Sequence, residues 1–460
     1  MKKHRVTAVL AAAALLAGCG DKAATTPAGQ PAPTDYRTEK VGTTVTPWQE
    51  GELDIHFINT TTGECVFMVF PDGTQMLIDA AGTLAATGTV GSTTNTGIRK
   101  RWDPTADASW RPAPFIAGYI RKVMAWTGND TVDYALVTHF HNDHFGGYAA
   151  KLPVSDKSTG YRKQSMPELM DLLPFGKLMD RGWPDYKYPF DMRTKAGNAD
   201  GVDNYVKAVL WHVTNDDMTA ERFVAGSSQQ VTLLRKAETY PDFEVRNIAV
   251  NGEIWDGGET SSATATFPAL SEVSVANPAS VANEDKCPEE NHCSCVLRVR
   301  YGAFDFFAGG DSQYDGMSSW PWKDMETAVA RAAGPVDVMK ADHHGVTNTN
   351  GHGFTSSVTG KTAEALKYLQ PRVWVVNSWT DGHPRQKVFE GVTNYLPGMD
   401  IYITNICDEL ASYANASRVV GSNGHVLVRV YNGGVRYRVC VLSDSDGEMT
   451  VRKSQLYNSR

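Results

Sequence analysis

Three imidazoles and a carboxylate fall within one short stretch, His139-Phe140-His141-Asn142-Asp143-His144. In extended backbone, residues two apart point the same way, so His139 and His141 can reach one metal ion as the apolar run Val132–Val137 ends. Asp143 and His144 come from the following turn and can project to a second ion beside the first. Phe145-Gly146-Gly147 supplies the backbone freedom for a tight passage into a helix. Imidazole and carboxylate donors suit zinc best, with manganese or iron also compatible. The plain alternative is a His-rich surface loop, and the placement at a strand end speaks against it.

Such a cluster needs a rigid frame, and the flanking sequence is patterned to build one. Leu53–Ile58 alternates like a half-buried strand, and Cys65–Phe70 with Gln75–Ile78 forms a hairpin around Pro71-Asp72-Gly73-Thr74. Pro114–Trp126 reads as a helix with proline in its first turn, leading into the strand before the histidines. In the second half, a helix over Thr362–Gln370, a strand over Arg372–Val376 and a helix over Gln386–Leu396 follow one another. A hairpin joins His425–Tyr431 to Val435–Leu442 through Asn432-Gly433-Gly434. Strands in both halves with helices between them predict an α/β fold of two sheets packed face to face, with helices outside.

These motifs occur in an order that resembles the metallo-β-lactamase superfamily over residues 50–445, with His139 to His144 similar to its HxHxDH signature. Asp79, in Asp79-Ala80-Ala81-Gly82, looks like the family's early acidic position, and Phe306-Phe307-Ala308-Gly309-Gly310-Asp311 looks like its strand-then-Gly-Asp element. Asp342-His343-His344-Gly345 and Gly382-His383-Pro384 resemble the hydrolase domain of DNA-uptake competence (ComEC-like) proteins, and the His-His-Gly also resembles phosphorylcholine esterases. The resemblance implies a four-layer αββα sandwich and two divalent cations. His139 and His141 would hold the first, Asp143, His144 and His344 the second, and Asp311 both. A hydroxide held between the metals would be the nucleophile, with Asp143 and His343 serving catalysis and His343 donating to the oxygen that gains charge. Asp79 would orient the histidine loop, and His383 would contact substrate or cap the next helix. Many relatives carry a third histidine for the first metal. Here Glu290-Asn291-His292-Cys293-Ser294 places His292 for that role, while the competence-like branch has an Asn in this region.

The chain begins with an export label. Lys2, Lys3 and Arg5 precede the apolar run Val6–Leu16, and Leu16-Ala17-Gly18-Cys19 looks like a lipoprotein cleavage box, with Cys19 the lipidated residue. The run falls short of the roughly 20 residues that span a bilayer. Gly20 after the cysteine implies attachment to the outer membrane, facing the periplasm or the cell surface. Residues 20–50 are rich in Ala, Thr, Pro and Gly and read as a tether. The hydrolase domain is expected over 51–445, with a long insertion at 151–285 and a tail at 446–460. Trp183, Tyr186, Tyr188, Phe190 and Trp211, a helix over Val206–Val213 and a strand over Phe243–Val250 lie in that insertion. It reads as a cover over the mouth of the site, or as a decoration with its own small core.

The formal charge of −8 disfavours a polyanionic partner, since affinity for nucleic acid rests on Lys and Arg contacts that release counterions. No Lys/Arg run announces a basic groove. The favoured activity is therefore hydrolysis of small phosphoesters by a lipid-anchored enzyme. The alternatives are a nuclease related to DNA uptake, a lactone or β-lactam hydrolase, and a metal-stabilised binding lipoprotein without catalysis. Outside the cytoplasm disulfides are permitted, and the favoured pairs are Cys407 with Cys440 and Cys287 with Cys293. A zinc site of Cys293 and Cys295 is the runner-up for the latter.

Overall fold

The computed structural model describes residues 37–82, 111–259, 261–265, 288–314, 324–346, 364–378, 383–445 and 447–460. The leader with Cys19, and Cys287, lie outside the described residues. Two mixed sheets dominate. In the first, β1 (Leu53–Phe57), β2 (Val66–Val69), β3 (Gln75–Ile78), β4 (Val132–Val137), β5 (Phe175–Asp180) and β6 (Thr219–Arg222) follow in order. β16 (His425–Val430), β17 (Arg436–Leu442) and β18 (Val451–Asn458) extend that sheet beyond β1. The second runs β15 (Val419–Ser422), β14 (Asp400–Ile403), β13 (Val373–Val376), β12 (Val338–Lys340), β11 (Phe304–Ala308), β10 (Val296–Tyr301), β7 (Phe243–Val250), β8 (Glu253–Trp255) and β9 (Ala263–Ala265).

The period-two alternation of a strand decides what faces what. Val66 and Met68 of β2, Tyr134 and Leu136 of β4, and Val426, Val428 and Val430 of β16 meet Leu297, Val299, Phe304, Phe306, Val373 and Val375 of the second sheet in one central core. The opposite parity of the first sheet, including Phe67, Val69, Ala135 and Val137, packs under α1 (Pro112–Thr127), α3 (Ser165–Leu172) and α5 (Ala199–Asn215). On the far side, Phe307, Met339, Trp374 and Ile401 pack under α6 (Met325–Ala333), α7 (Glu364–Leu369) and α8 (Gln386–Tyr395). The result is the four-layer αββα sandwich.

Helix α1 shows how the outer layers form. Proline opens its first turn, where a missing N–H costs nothing, and Gly128 ends it at φ 71° with its N–H on the Met124 carbonyl. Ala113, Ile116, Ala117, Ile120 and Val123 recur at helical spacing and are buried. Each large apolar side chain covered in this way contributes about 1.5–3 kcal/mol.

Several expectations need correction. Strand β1 is buried on both faces rather than half-buried, because α1 and its neighbours cover the side carrying Asp54 and His56. Its buried Asp54 is matched by Arg429, which donates through Nε at 2.8 Å and Nη2 at 2.6 Å. Residues 37–50 are not all tether: Val45 and Trp48 join the core, and Glu39 accepts from Arg429 at 2.7 Å. The expected tail holds β18, paired antiparallel along β17. In its described residues, 151–285 is not a decoration with its own small core, because β5 to β9 belong to the two sheets and α3 and α5 to an outer layer. Tyr186 is fully buried in that layer, with Trp183, Phe190 and Trp211 packed against it. Cys407 and Cys440 sit in different clusters on the outer faces of different sheets, so the expected bridge between them is not made.

β3 to β6 run parallel, as do β11 to β15. Open parallel sheets present their sites at the carboxyl ends of strands, and the chemistry-bearing segments here leave β3, β4, β11 and β12 at those ends.

Candidate metal centre

The histidine segment is held by the end of β3. Asp79 sits at φ 54°, a left-handed conformation that Asp tolerates, with its N–H on the Leu136 carbonyl. Its carboxylate accepts from Thr138 N at 2.8 Å, Thr138 Oγ1 at 2.6 Å and His144 Nδ1 at 2.7 Å. The Thr138 hydroxyl has spent its proton on Asp79 and can only accept from His139 Nδ1, 3.2 Å away. Both histidines are thereby held with the Nε2 lone pair turned inward, as metal ligation requires. Asn142–Phe145 is a single helical turn that carries Asp143 and His144. Gly146 follows at φ 97°, where a Cβ would lie 2.4 Å from Ser165 Cβ, so glycine lets the turn pass against α3.

The second sheet brings its groups from across the sandwich. Asp311 follows Gly310, whose φ of 58° seats it against Ser294, and its N–H donates to Ser294 Oγ at 3.2 Å. After β12, His343 and His344 both adopt left-handed backbone, φ 45° and 53°. Such residues cost of order 1–3 kcal/mol each and persist where surrounding structure imposes them. Here the His343 N–H reaches the Gly310 carbonyl, and His344 Nδ1 donates to the Asn377 carbonyl at 2.8 Å. His344 Nε2 is left to face Asp143 Oδ2 at 3.1 Å.

Two groups of convergent donor atoms result. Asp143, His144, Asp311 and His344 form one, and His139, His141 and Asp311 the other, the atoms of each group lying within 4.8 Å of one another. Asp311 Oδ2 is the common point, 3.1 Å from His144 Nε2, 3.7 Å from His139 Nε2 and 3.8 Å from both His343 Nε2 and His344 Nε2. His139 Nε2, His144 Nε2 and both Asp311 oxygens are buried and make no hydrogen bond among the described residues. Buried polar atoms are normally paired, so this set fits divalent metal better than an ordinary core network.

The electrostatics agree. Burial alone would lower the His144 and His344 pKa values, but the carboxylates of Asp311 and Asp143 raise both, joined by Asp79 at His144, which is raised strongly, and by Glu64 at His344. For Asp311, burial favours the neutral acid, yet the surrounding imidazoles hold its carboxyl well below the usual range. His343 is different: desolvation brings it down to about 4, so at neutral pH it carries one N–H and no charge. Its side chain is 21 % exposed. With the half-buried His141 it marks the opening of the site.

His292 does not join either group; it lies in a tight turn and its Nδ1 accepts from Glu289 N at 3.2 Å. Its neighbour Asn291 turns toward the centre, with Nδ2 3.4 Å from His343 Nδ1 and 2.9 Å from Gln313 Oε1. His383 is buried behind His344, ring centroids 6.2 Å apart. Two buried residues went unnoticed in the sequence. Lys340 donates to the Gly310 and Ala341 carbonyls at 3.0 and 2.9 Å and to Glu64 at 3.3 Å, tying the Asp311 and His344 segments together. A lysine inside the otherwise apolar run Val338-Met339-Lys340-Ala341 was the available signal for it; Glu64 had none. Among the described residues, the histidines outside the motifs are core residues: His56 pairs with Tyr119, His212 lies between Asp171 and Asp216, and His425 accepts from Asn59 N; His4 and His352 lie outside the described residues.

A family model agrees with this architecture. The family model described as Metallo-beta-lactamase superfamily matches residues 127–243, which include the whole histidine segment. A solved structure from Parabacteroides distasonis ATCC 8503, described as "Putative metal-dependent hydrolase", aligns at 10% identity over 76% of this chain and 92% of that one, with a TM-score of 0.30. No curated protein matches the sequence.

Proposed function

We propose that this protein is a metal-dependent hydrolase that holds two divalent cations side by side and cleaves small phosphoesters. The observation that carries this reading is the shared Asp311, common to both groups of donor atoms. His139 and His141 would complete one site, and Asp143, His144 and His344 the other. Cations bound there supply Lewis-acid polarisation of the ester oxygen and activation of a water nucleophile.

The chain's own residues do the remaining work. Asp79 and the Asn377 carbonyl keep the Nδ1 protons of His144 and His344 in place, which leaves Nε2 free to ligate. His343, neutral and at the opening, is placed to donate its N–H to the substrate oxygen that gains charge. Asp143, in the same group and 3.1 Å from His344 Nε2, would share that cation with His344.

Small phosphoesters are favoured over DNA because the protein is acidic and, among the described residues, Arg181 and Lys340 beside the centre are buried and engaged internally. Lipid anchoring at Cys19 on the outer membrane belongs to the same proposal and is supported by the leader sequence. Among the described residues no helix is long and apolar enough to cross a membrane. The test is turnover of bis(p-nitrophenyl) phosphate, p-nitrophenyl phosphate, nitrocefin and single-stranded DNA at low and physiological salt. Phosphoester turnover with weak salt dependence is expected. Efficient DNA degradation that collapses with salt would make the protein a nuclease, and turnover of nitrocefin alone would make it an amide hydrolase.

A further inference from the structure

We infer that Arg181 and Glu290 are positioning residues for the first ligand pair, acting on the single residue that separates His139 from His141. Glu290 Oε1 accepts the Phe140 N–H at 2.8 Å, and on the other side Asn198 Nδ2 donates to the Phe140 carbonyl. Both hydrogen-bonding groups of residue 140 are therefore taken by side chains from elsewhere in the chain. Arg181 grips Glu290 through Nε at 2.6 Å and also through Nη2. Its Nη1 is anchored on the Tyr188 carbonyl at 3.0 Å and Asn251 Oδ1 at 3.1 Å, and its guanidinium lies 5.4 Å from the centre of the Phe140 ring. The Phe140 side chain is itself locked between Tyr186 and Tyr205.

Residue 140 points away from the centre while its two neighbours point in, so any rotation of its peptides swings both imidazoles. A bidentate Arg–carboxylate pair is strong and geometrically specific, and this one joins a fully buried Arg181 to a half-buried Glu290, reaching from the end of β5 to the segment before β10. The clamp touches His139 and His141 only through the backbone and does not touch the Asp143, His144 and His344 group. Its loss should therefore weaken one cation and spare the other.

This inference rests on the two-cation reading above, and the experiment separates them. Zinc stoichiometry and affinity are measured on wild type, on Arg181→Met/Glu290→Leu, which leaves no orphaned charge, and on Asn198→Ala, a mild change at a half-buried position. The visible spectrum of the cobalt-substituted proteins is recorded alongside, because it reports ligand geometry rather than fold. The expected result is one zinc bound as in wild type, the other weakened about 10- to 100-fold, and an altered cobalt spectrum. If the double variant fails to fold, Asn198→Ala alone is expected to show the same one-site weakening in smaller degree. Two zincs held with wild-type affinity and an unchanged cobalt spectrum in the folded variants would overturn the clamp. A wild type that binds no zinc would overturn the metal centre itself.

Discussion

Asp79 Oδ2 accepts the Nδ1 proton of His144 at 2.7 Å, from a residue whose own backbone is left-handed and whose other oxygen holds the Thr138 N–H. One carboxylate thus fixes the end of β4 and the ring orientation of a ligand at once. Replacing it with Asn preserves size and left-handed tolerance but not charge. Asp79→Asn should weaken zinc binding at the second group about 10- to 100-fold, read by competition with a chromophoric chelator. Unchanged affinity would show that Asp79 is only a backbone anchor.

Arg429 is the structural counterpart of that pair, remote from the centre. Its guanidinium holds the carboxyl of Asp54 well below its ordinary value against the opposing effect of burial, and it also pairs with Glu39. Arg429→Met would leave two buried carboxylates unmatched and should cost about 3–5 kcal/mol in a urea titration. The metal content of the folded fraction should not change.

Asp337 gives a pH dependence whose sign can be worked out. Burial raises its carboxyl from 3.8 to about 6, with Arg372 and Arg460 opposing. Between those values the folded chain keeps a proton that the unfolded chain gives up, so this group's contribution declines as pH rises from about 4 to about 6. Asn cannot ionise and still accepts the Asp305 N–H that Oδ2 takes at 3.1 Å. Asp337→Asn should therefore gain in melting temperature relative to wild type between pH 4 and pH 7. A gap that does not widen would contradict the assignment.

The parts of this protein that were legible in sequence are those whose information is local. Six consecutive residues carry the histidine segment, and β4 and β7 have the expected bounds because the first is a largely apolar run and the second alternates apolar and polar residues before the turn at Asn251-Gly252. Asp311 and His344 were found through short motifs at strand ends. What was missed depends on distant partners or on register. Arg181 and Glu290 stand 109 residues apart, and neither has a neighbour that announces the other. β18 reads as a tail because its exposed residues, Arg452, Lys453 and Gln455, are polar, and only pairing with β17 makes it a strand. Residues 37–50 look like linker by composition, and their place is set by the buried charge of Arg429. His292 and Asn291 differ by one position, and a tight turn decides which of them faces the centre.

The most direct test of the account is the zinc content of the purified protein beside that of Asp311→Ala, by elemental analysis after dialysis against metal-free buffer. Two ions per wild-type chain are predicted, and close to none in the folded variant, because one carboxylate serves both sites. A wild type without metal, or a variant that retains both ions, would contradict it.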